Sequence, residues 1–113
     1  MPVFVVFEWY NDEFRKSVQR RVDTVFTQES SADSRVTEMI NTRYLHDKES
    51  LEQTIEDIQR RGLRDPKTKK VSHVVPKHLT LRLERELVSV QNYTVWLRNI
   101  GELPYYEEHR LNK

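Results

Sequence analysis

Cysteine is absent from this chain of 113 residues, and glycine occurs only at positions 62 and 101. Without cysteine there is no disulfide, no thiolate nucleophile and no sulfur-ligated metal site. The scarcity of glycine excludes a glycine-rich loop that cradles phosphate. His73 and His78 stand five residues apart with no zinc-site pattern around them. We therefore expect no metal ion and no cofactor.

Long apolar runs are missing as well. The N-terminal run from Val3 to Phe7 has no basic residue before it and is too short for a signal peptide or a membrane span. The lack of cysteine also suits a reducing compartment. These features predict a soluble, cytoplasmic protein that has no membrane partner.

Charged residues make up 33% of the chain and hydrophobic residues only 36%, yet the formal net charge is +1. This length predicts a single domain over residues 1–113. A small apolar fraction with many charges favours short amphipathic helices whose outer faces are solvated. Because the net charge is so small, any basic function must come from clustering of the cations.

Apolar residues recur at helical spacing in several segments, which are residues 11–26, 36–44, 47–62, 76–88 and 89–101. Asp47 and Ser89 are suitable N-caps, and Gly62 and Gly101 are suitable terminators. Pro76 suits a first helical position. The pattern predicts four to five short helices, although alternation of leucines after Pro76 leaves a strand open as the alternative there.

Two short segments, residues 3–8 and 70–75, are rich in β-branched side chains and predict strands. The simplest arrangement pairs them with each other. The predicted fold class is therefore α+β, mostly helical, with a small two-stranded sheet.

Positive charge is concentrated between Arg60 and Arg85. This segment contains nine Lys or Arg residues and only two acidic residues, Asp65 and Glu84. Such segregation is typical of a site for a phosphate backbone or an acidic partner. A solvated loop without a ligand is the alternative. The predicted nucleic-acid-binding residues are Arg60, Arg61, Lys69, Lys70, Lys77, Arg82 and Arg85.

The segment HLTLRLERE (residues 78–86), followed by a second helix through Val95-Trp96-Leu97, resembles the helical motif of phage-type endoribonucleases of the RelE-like superfamily. The resemblance implies metal-independent RNA cleavage, with His78 as general acid or base and Arg82 stabilising the phosphorane charge. It is confined to residues 78–97. The family places an antiparallel sheet after this helix pair, and little chain remains here to form one.

These observations favour a small, non-enzymatic accessory protein that binds an anionic partner, with nucleic acid as the first choice, through residues 60–85. The first alternative is a protein–protein interaction module or inhibitor of the phage or mobile-element type, docking on an acidic protein surface. Its support is the sorting of charge between an acidic segment, residues 47–57, and the basic segment. The endoribonuclease is the second alternative, and a homodimer is compatible with each hypothesis.

Overall fold

The computed structural model describes residues 1–110, and within them it contains five strands and three helices. The strands are β1 (Pro2–Asp12), β2 (Ser17–Phe26), β3 (Leu63–Arg64), β4 (Val71–Ser72) and β5 (Tyr105–Arg110). The helices are α1 (Glu29–Arg61), α2 (Lys77–Arg85) and α3 (Val90–Asn99). The chain forms two compact units, of which the first contains Met1–Thr42 and the residues from Thr94 onward, and the second contains Arg43–Tyr93. The expectation of a single domain stays a prediction.

The predicted fold, mostly helical with four to five short helices and a two-stranded sheet, is wrong. Within the described residues, a three-stranded antiparallel sheet has the order β2-β1-β5, and β3 and β4 form a second sheet. The predicted pairing of residues 3–8 with residues 70–75 does not occur, because β1 pairs with β2 and β5, and β4 pairs with β3. The fold is α+β with a much larger share of sheet than the sequence suggested.

Residues 11–26, predicted to be helical, form the end of β1, a turn and strand β2 instead. The four-residue spacing of Phe14, Val18 and Val22 fits both structures, because it is close to one helical turn and equals two repeats of a strand. Enrichment in β-branched residues favours the strand. The turn favours it too, because the Asp12 carboxylate accepts the backbone N–H groups of Phe14 at 3.0 Å and Arg15 at 3.2 Å.

The two helices predicted over residues 36–44 and 47–62 are one helix of 33 residues, α1. No glycine or proline lies between Glu29 and Arg61, so nothing interrupts it. Asp47 is not an N-cap, because it lies in the interior of α1. Its carboxylate instead accepts the Tyr93 hydroxyl inside the second unit. Gly62 ends the helix as predicted, with φ of +82° and an N–H bond of 2.8 Å to the Ile58 carbonyl.

The predicted pair of helices after Pro76 is confirmed by α2 and α3. Ser89 caps α3, since its Oγ accepts the Asn92 N–H at 3.1 Å. Gly101 ends α3 with φ of +75°. The Glu102 N–H reaches back to the Leu97 carbonyl at 2.9 Å, which is the geometry of a Schellman motif.

The core of the first unit lies between one face of the three-stranded sheet and the start of α1. Phe4, Val6 and Ala32 are buried there, and the half-buried side chains that pack on them are Phe26, Val36, Met39 and Tyr106. The Tyr106 hydroxyl donates to Glu29 at 2.9 Å, and this bond raises the pKa of Tyr106. Phe4 and Val6 are two residues apart in β1, so their side chains lie on the same face of the sheet and pack against α1.

The second unit has its own buried residues, Leu51, Ile58, Leu87 and Tyr93. The rings of Tyr44 and Tyr93 meet edge to face with centroids 5.6 Å apart. The Tyr44 hydroxyl donates to the Leu87 carbonyl at 3.0 Å. Burial, followed by the hydrogen bond to Asp47, raises the pKa of Tyr93. These contacts hold the later turns of α1 to the segment that joins α2 and α3.

Candidate nucleic-acid interface

The hairpin of β3 and β4 follows the end of α1 directly and is packed closely against it. A Cβ atom at Gly62 would lie 2.3 Å from Cγ1 of Val71 and 3.1 Å from the Ser72 carbonyl oxygen. His73 Nδ1 lies 3.0 Å from the Gln59 carbonyl, to which a ring N–H donates. The hairpin is thus positioned by a backbone approach that only glycine permits without strain.

Hydrogen bonds within the hairpin loop give it a defined shape. The Asp65 N–H bonds to the Lys70 carbonyl at 2.9 Å, and the Lys69 N–H bonds to the Asp65 carbonyl at 2.7 Å. Asp65 Oδ1 also accepts the Lys67 N–H at 2.8 Å. Lys69 takes a left-handed conformation with φ of +59°. The loop is therefore an ordered turn built around Asp65.

The cations of this region are exposed and mostly unpaired. Within residues 1–110, no ion pair neutralises the side chains of Arg61, Arg64, Lys67, Lys69 and Lys70. Arg60 differs, because its Nη2 binds Glu56 Oε1 at 2.6 Å, one turn earlier in α1. We call residues 61–72, which are the last residue of α1 and the hairpin of β3 and β4, the basic hairpin. It combines five free cations with the single carboxylate of Asp65.

The predicted binding residues on α2 form a second group. Lys77 and Arg85 are exposed, whereas Arg82 is half-buried and its Nε binds Glu86 Oε2 at 3.1 Å. Since α2 contains no buried residue, its leucines are only half-buried. The contacts through Gly62 and His73 bring Arg60 and Arg61 next to the hairpin that carries Lys69 and Lys70.

Two residues of the basic hairpin, Arg64 and Lys67, were missing from the predicted set. Both lie inside the cationic segment, and the Asp-Pro turn signal at positions 65 and 66 could have placed them with Lys69 and Lys70. The ion pairs of Arg60 with Glu56 and of Arg82 with Glu86 were also predictable from the sequence, because the two residues of each pair are spaced i,i+4.

His78 and Arg82, the residues of the enzymatic alternative, lie one turn apart on α2. His78 is exposed, and the carboxylate of Glu86 offsets the charge of Arg82. Over residues 1–110, no group of three or more His, Asp or Glu side chains is arranged to hold a metal ion. In the same part of the chain, no helix has the length and apolar character needed to cross a membrane.

Comparisons of the chain with protein-family profiles, with curated proteins and with solved structures gave no match. The resemblance of residues 78–97 to RelE-like endoribonucleases stays an expectation.

Proposed function

We propose that this protein is a non-enzymatic accessory protein that binds nucleic acid, and that the basic hairpin contacts the phosphate backbone. One observation carries the proposal: five exposed cations occupy an ordered hairpin and form no ion pair within residues 1–110. Free Lys and Arg side chains displace condensed counterions from phosphates, and this release drives association. Cations that are already paired gain less from the same contact.

The residue types of the basic hairpin favour recognition of phosphates over recognition of bases. Three of the five cations are lysines, which act as point charges without a fixed hydrogen-bonding geometry. Residues 61–72 include no aromatic side chain that would stack on a base. Contacts with phosphate position a protein but carry no sequence information. We therefore propose binding with little sequence preference.

On α2, Lys77 and Arg85 are further candidates for phosphate contacts, because both are exposed and neither forms an ion pair within residues 1–110. Arg82 is expected to contribute less, since Glu86 accepts its Nε–H at 3.1 Å. Arg60 is expected to contribute less for the same reason, because it is bound to Glu56. The seven residues predicted from the sequence are therefore expected to contribute unequally to phosphate binding.

The second candidate function is docking on an acidic protein, and one observation favours it. Apolar side chains are exposed beside the cations, with Leu63 45%, Val71 48% and Val74 77% accessible. A mixed basic and apolar surface suits a partner that offers carboxylates around an apolar patch. Phosphate contacts use only the cations, so the two functions differ in their dependence on these three side chains.

The test is binding of a labelled oligonucleotide at about 50 mM salt, where phosphate contacts are strong. We expect the double charge reversal Lys69→Glu with Lys70→Glu to weaken binding by at least about tenfold. The matched control is Arg15→Glu with Lys16→Glu, which makes the same charge change at the tip of the other hairpin. Equal losses in the two variants would show that only net charge matters. Full binding by the first variant would contradict the proposal.

Replacing Val71 and Val74 with threonine separates the two candidate functions. This change keeps both β-branched shapes and every charge, so nucleic-acid binding should persist. An acidic protein partner would lose affinity, because apolar area is removed from the contact.

A further inference from the structure

Asp65 lies among the cations of the basic hairpin and neutralises none of them. Its side chain is exposed, and within residues 1–110 its carboxylate forms no ion pair. The charge of this carboxylate alone opposes the proposed function, because it repels phosphates from the surface that would bind them. The contribution of Asp65 to the hairpin is instead a set of hydrogen bonds.

Asp65 is hydrogen-bonded to the backbone of all three lysines of the basic hairpin. Its N–H donates to the Lys70 carbonyl at 2.9 Å, and its carbonyl accepts the Lys69 N–H at 2.7 Å. Its Oδ1 accepts the Lys67 N–H at 2.8 Å. The first two bonds belong to the main chain of residue 65, whereas the third depends on its side chain.

The bond from Lys67 to the carboxylate closes an Asx turn around Pro66. The chain then reverses through Lys69, whose φ of +59° is left-handed. This conformation is unfavourable for a residue that has a Cβ atom, so the bonds of the turn must hold it in place. Because the loop is exposed, loss of the carboxylate would allow it to populate other conformations.

We infer that Asp65 is a positioning residue for phosphate binding, whose carboxylate holds the three lysines in one turn before the nucleic acid binds. The inference rests on the proposed function, in which these lysines contact phosphates. A turn that is already ordered loses little backbone freedom on binding. Affinity falls in proportion to the fraction of molecules in which the turn is formed. The charge of the carboxylate therefore weakens binding, while its hydrogen bond strengthens binding.

Two substitutions that make the same charge change separate these effects. Asp65→Asn removes the negative charge but keeps an oxygen that accepts the Lys67 N–H, whereas Asp65→Ala removes both. With a labelled oligonucleotide at about 50 mM salt, we expect Asp65→Asn to bind at least as tightly as wild type. Asp65→Ala should bind at least about threefold more weakly than Asp65→Asn, as expected for one hydrogen bond. Its affinity should also depend less steeply on salt, because fewer lysines contact phosphates at the same time.

Glu84 provides the matched control, because it is the other acidic residue of the cationic segment and is exposed on α2. In the described part of the chain, its carboxylate accepts no hydrogen bond. Glu84→Gln and Glu84→Ala should therefore bind with equal affinity. Circular dichroism of each variant establishes that it is folded. If Asp65→Ala does not fold, Asp65→Ser replaces it and should also bind more weakly than Asp65→Asn, because a hydroxyl forms this turn less well.

Equal affinities of Asp65→Asn and Asp65→Ala would overturn the inference, because charge would then be the only contribution of the side chain. Salt-dependent binding by wild type would in that case leave the proposed function standing. Asp65→Asn that binds more weakly than wild type would overturn the inference too, because the restored hydrogen bond would not rescue binding. Absence of binding by wild type would overturn the proposed function and the inference with it.

Discussion

Asp23 and Arg35 form a bidentate ion pair that links α1 to the three-stranded sheet. Oδ2 of Asp23 accepts Nε–H of Arg35 at 2.8 Å, and Oδ1 accepts Nη2–H at 2.9 Å. A β-bulge at Asp23 in β2 supplies the carboxylate, and the second turn of α1 supplies the guanidinium. Such fork-like pairs are stronger and more directional than single contacts. The bulge therefore has a structural role, because it places this carboxylate against α1.

Acid should weaken the fold through Asp23. Hydrogen bonding from Arg35, assisted by the Thr24 hydroxyl, lowers the pKa of Asp23 to about 2. Because the folded-state pKa lies below the unfolded one, the carboxylate stabilises the fold at neutral pH, and this contribution disappears as the pH falls from about 4 to about 2. We expect Asp23→Asn to cost on the order of 1–2 kcal/mol at pH 6.

The measurement for Asp23 is urea unfolding of both proteins across this pH range. The difference in unfolding free energy between wild type and Asp23→Asn should shrink towards zero near pH 2. Asp33→Asn serves as the control, because Asp33 is exposed on α1, the helix that carries Arg35. If the difference in unfolding free energy stays constant with pH, the ion pair of Asp23 with Arg35 is not the cause of the acid sensitivity.

Gly62→Ala should destabilise the chain and displace the basic hairpin. Alanine is strained at φ of +82°, and its Cβ would lie 2.3 Å from Val71 Cγ1. We expect a loss of about 2–4 kcal/mol in unfolding free energy. Gly101→Ala is the control, since φ there is +75° but no atom lies within 4 Å of the added Cβ. It should cost only about 1 kcal/mol. Equal losses measured by thermal unfolding would exclude the clash with the hairpin.

RNA should remain intact when it is incubated with this protein. His78 is exposed, and the charge of Arg82 is offset by Glu86 at 3.1 Å, so we expect no cleavage either in EDTA or in magnesium. Labelled RNA is followed by denaturing gel electrophoresis over long incubation. Cleavage by wild-type protein that His78→Ala abolishes would instead support the endoribonuclease alternative. Cleavage that survives this substitution would indicate a contaminating nuclease.

Local signals in the sequence identified the helix ends but not the sheet. Gly62, Ser89 and Gly101 act through their own backbone or side chains, so the chain positions of these boundaries were predictable. The four-residue spacing in β2 fits two periodicities. Strand β5 joins residues 2–7 to residues 105–110, a pairing with no local signature. Its charged second half has the composition of a solvated loop.

The candidate site was predictable as a charge concentration but not as a surface. Counting Lys and Arg found the segment that contains the basic hairpin. It did not show that Arg60 and Arg82 are bound to Glu56 and Glu86.

The claim that the basic hairpin binds phosphates is best tested by the salt dependence of oligonucleotide binding. Each phosphate contact contributes about −0.7 to −0.9 to the slope of log affinity against log salt concentration, so four contacts predict a slope of about −3. Lys69→Glu with Lys70→Glu should flatten this slope by at least about half, and Arg15→Glu with Lys16→Glu should leave it unchanged. Wild-type binding that is weak and independent of salt would contradict the claim. It would leave docking on a protein as the surviving function.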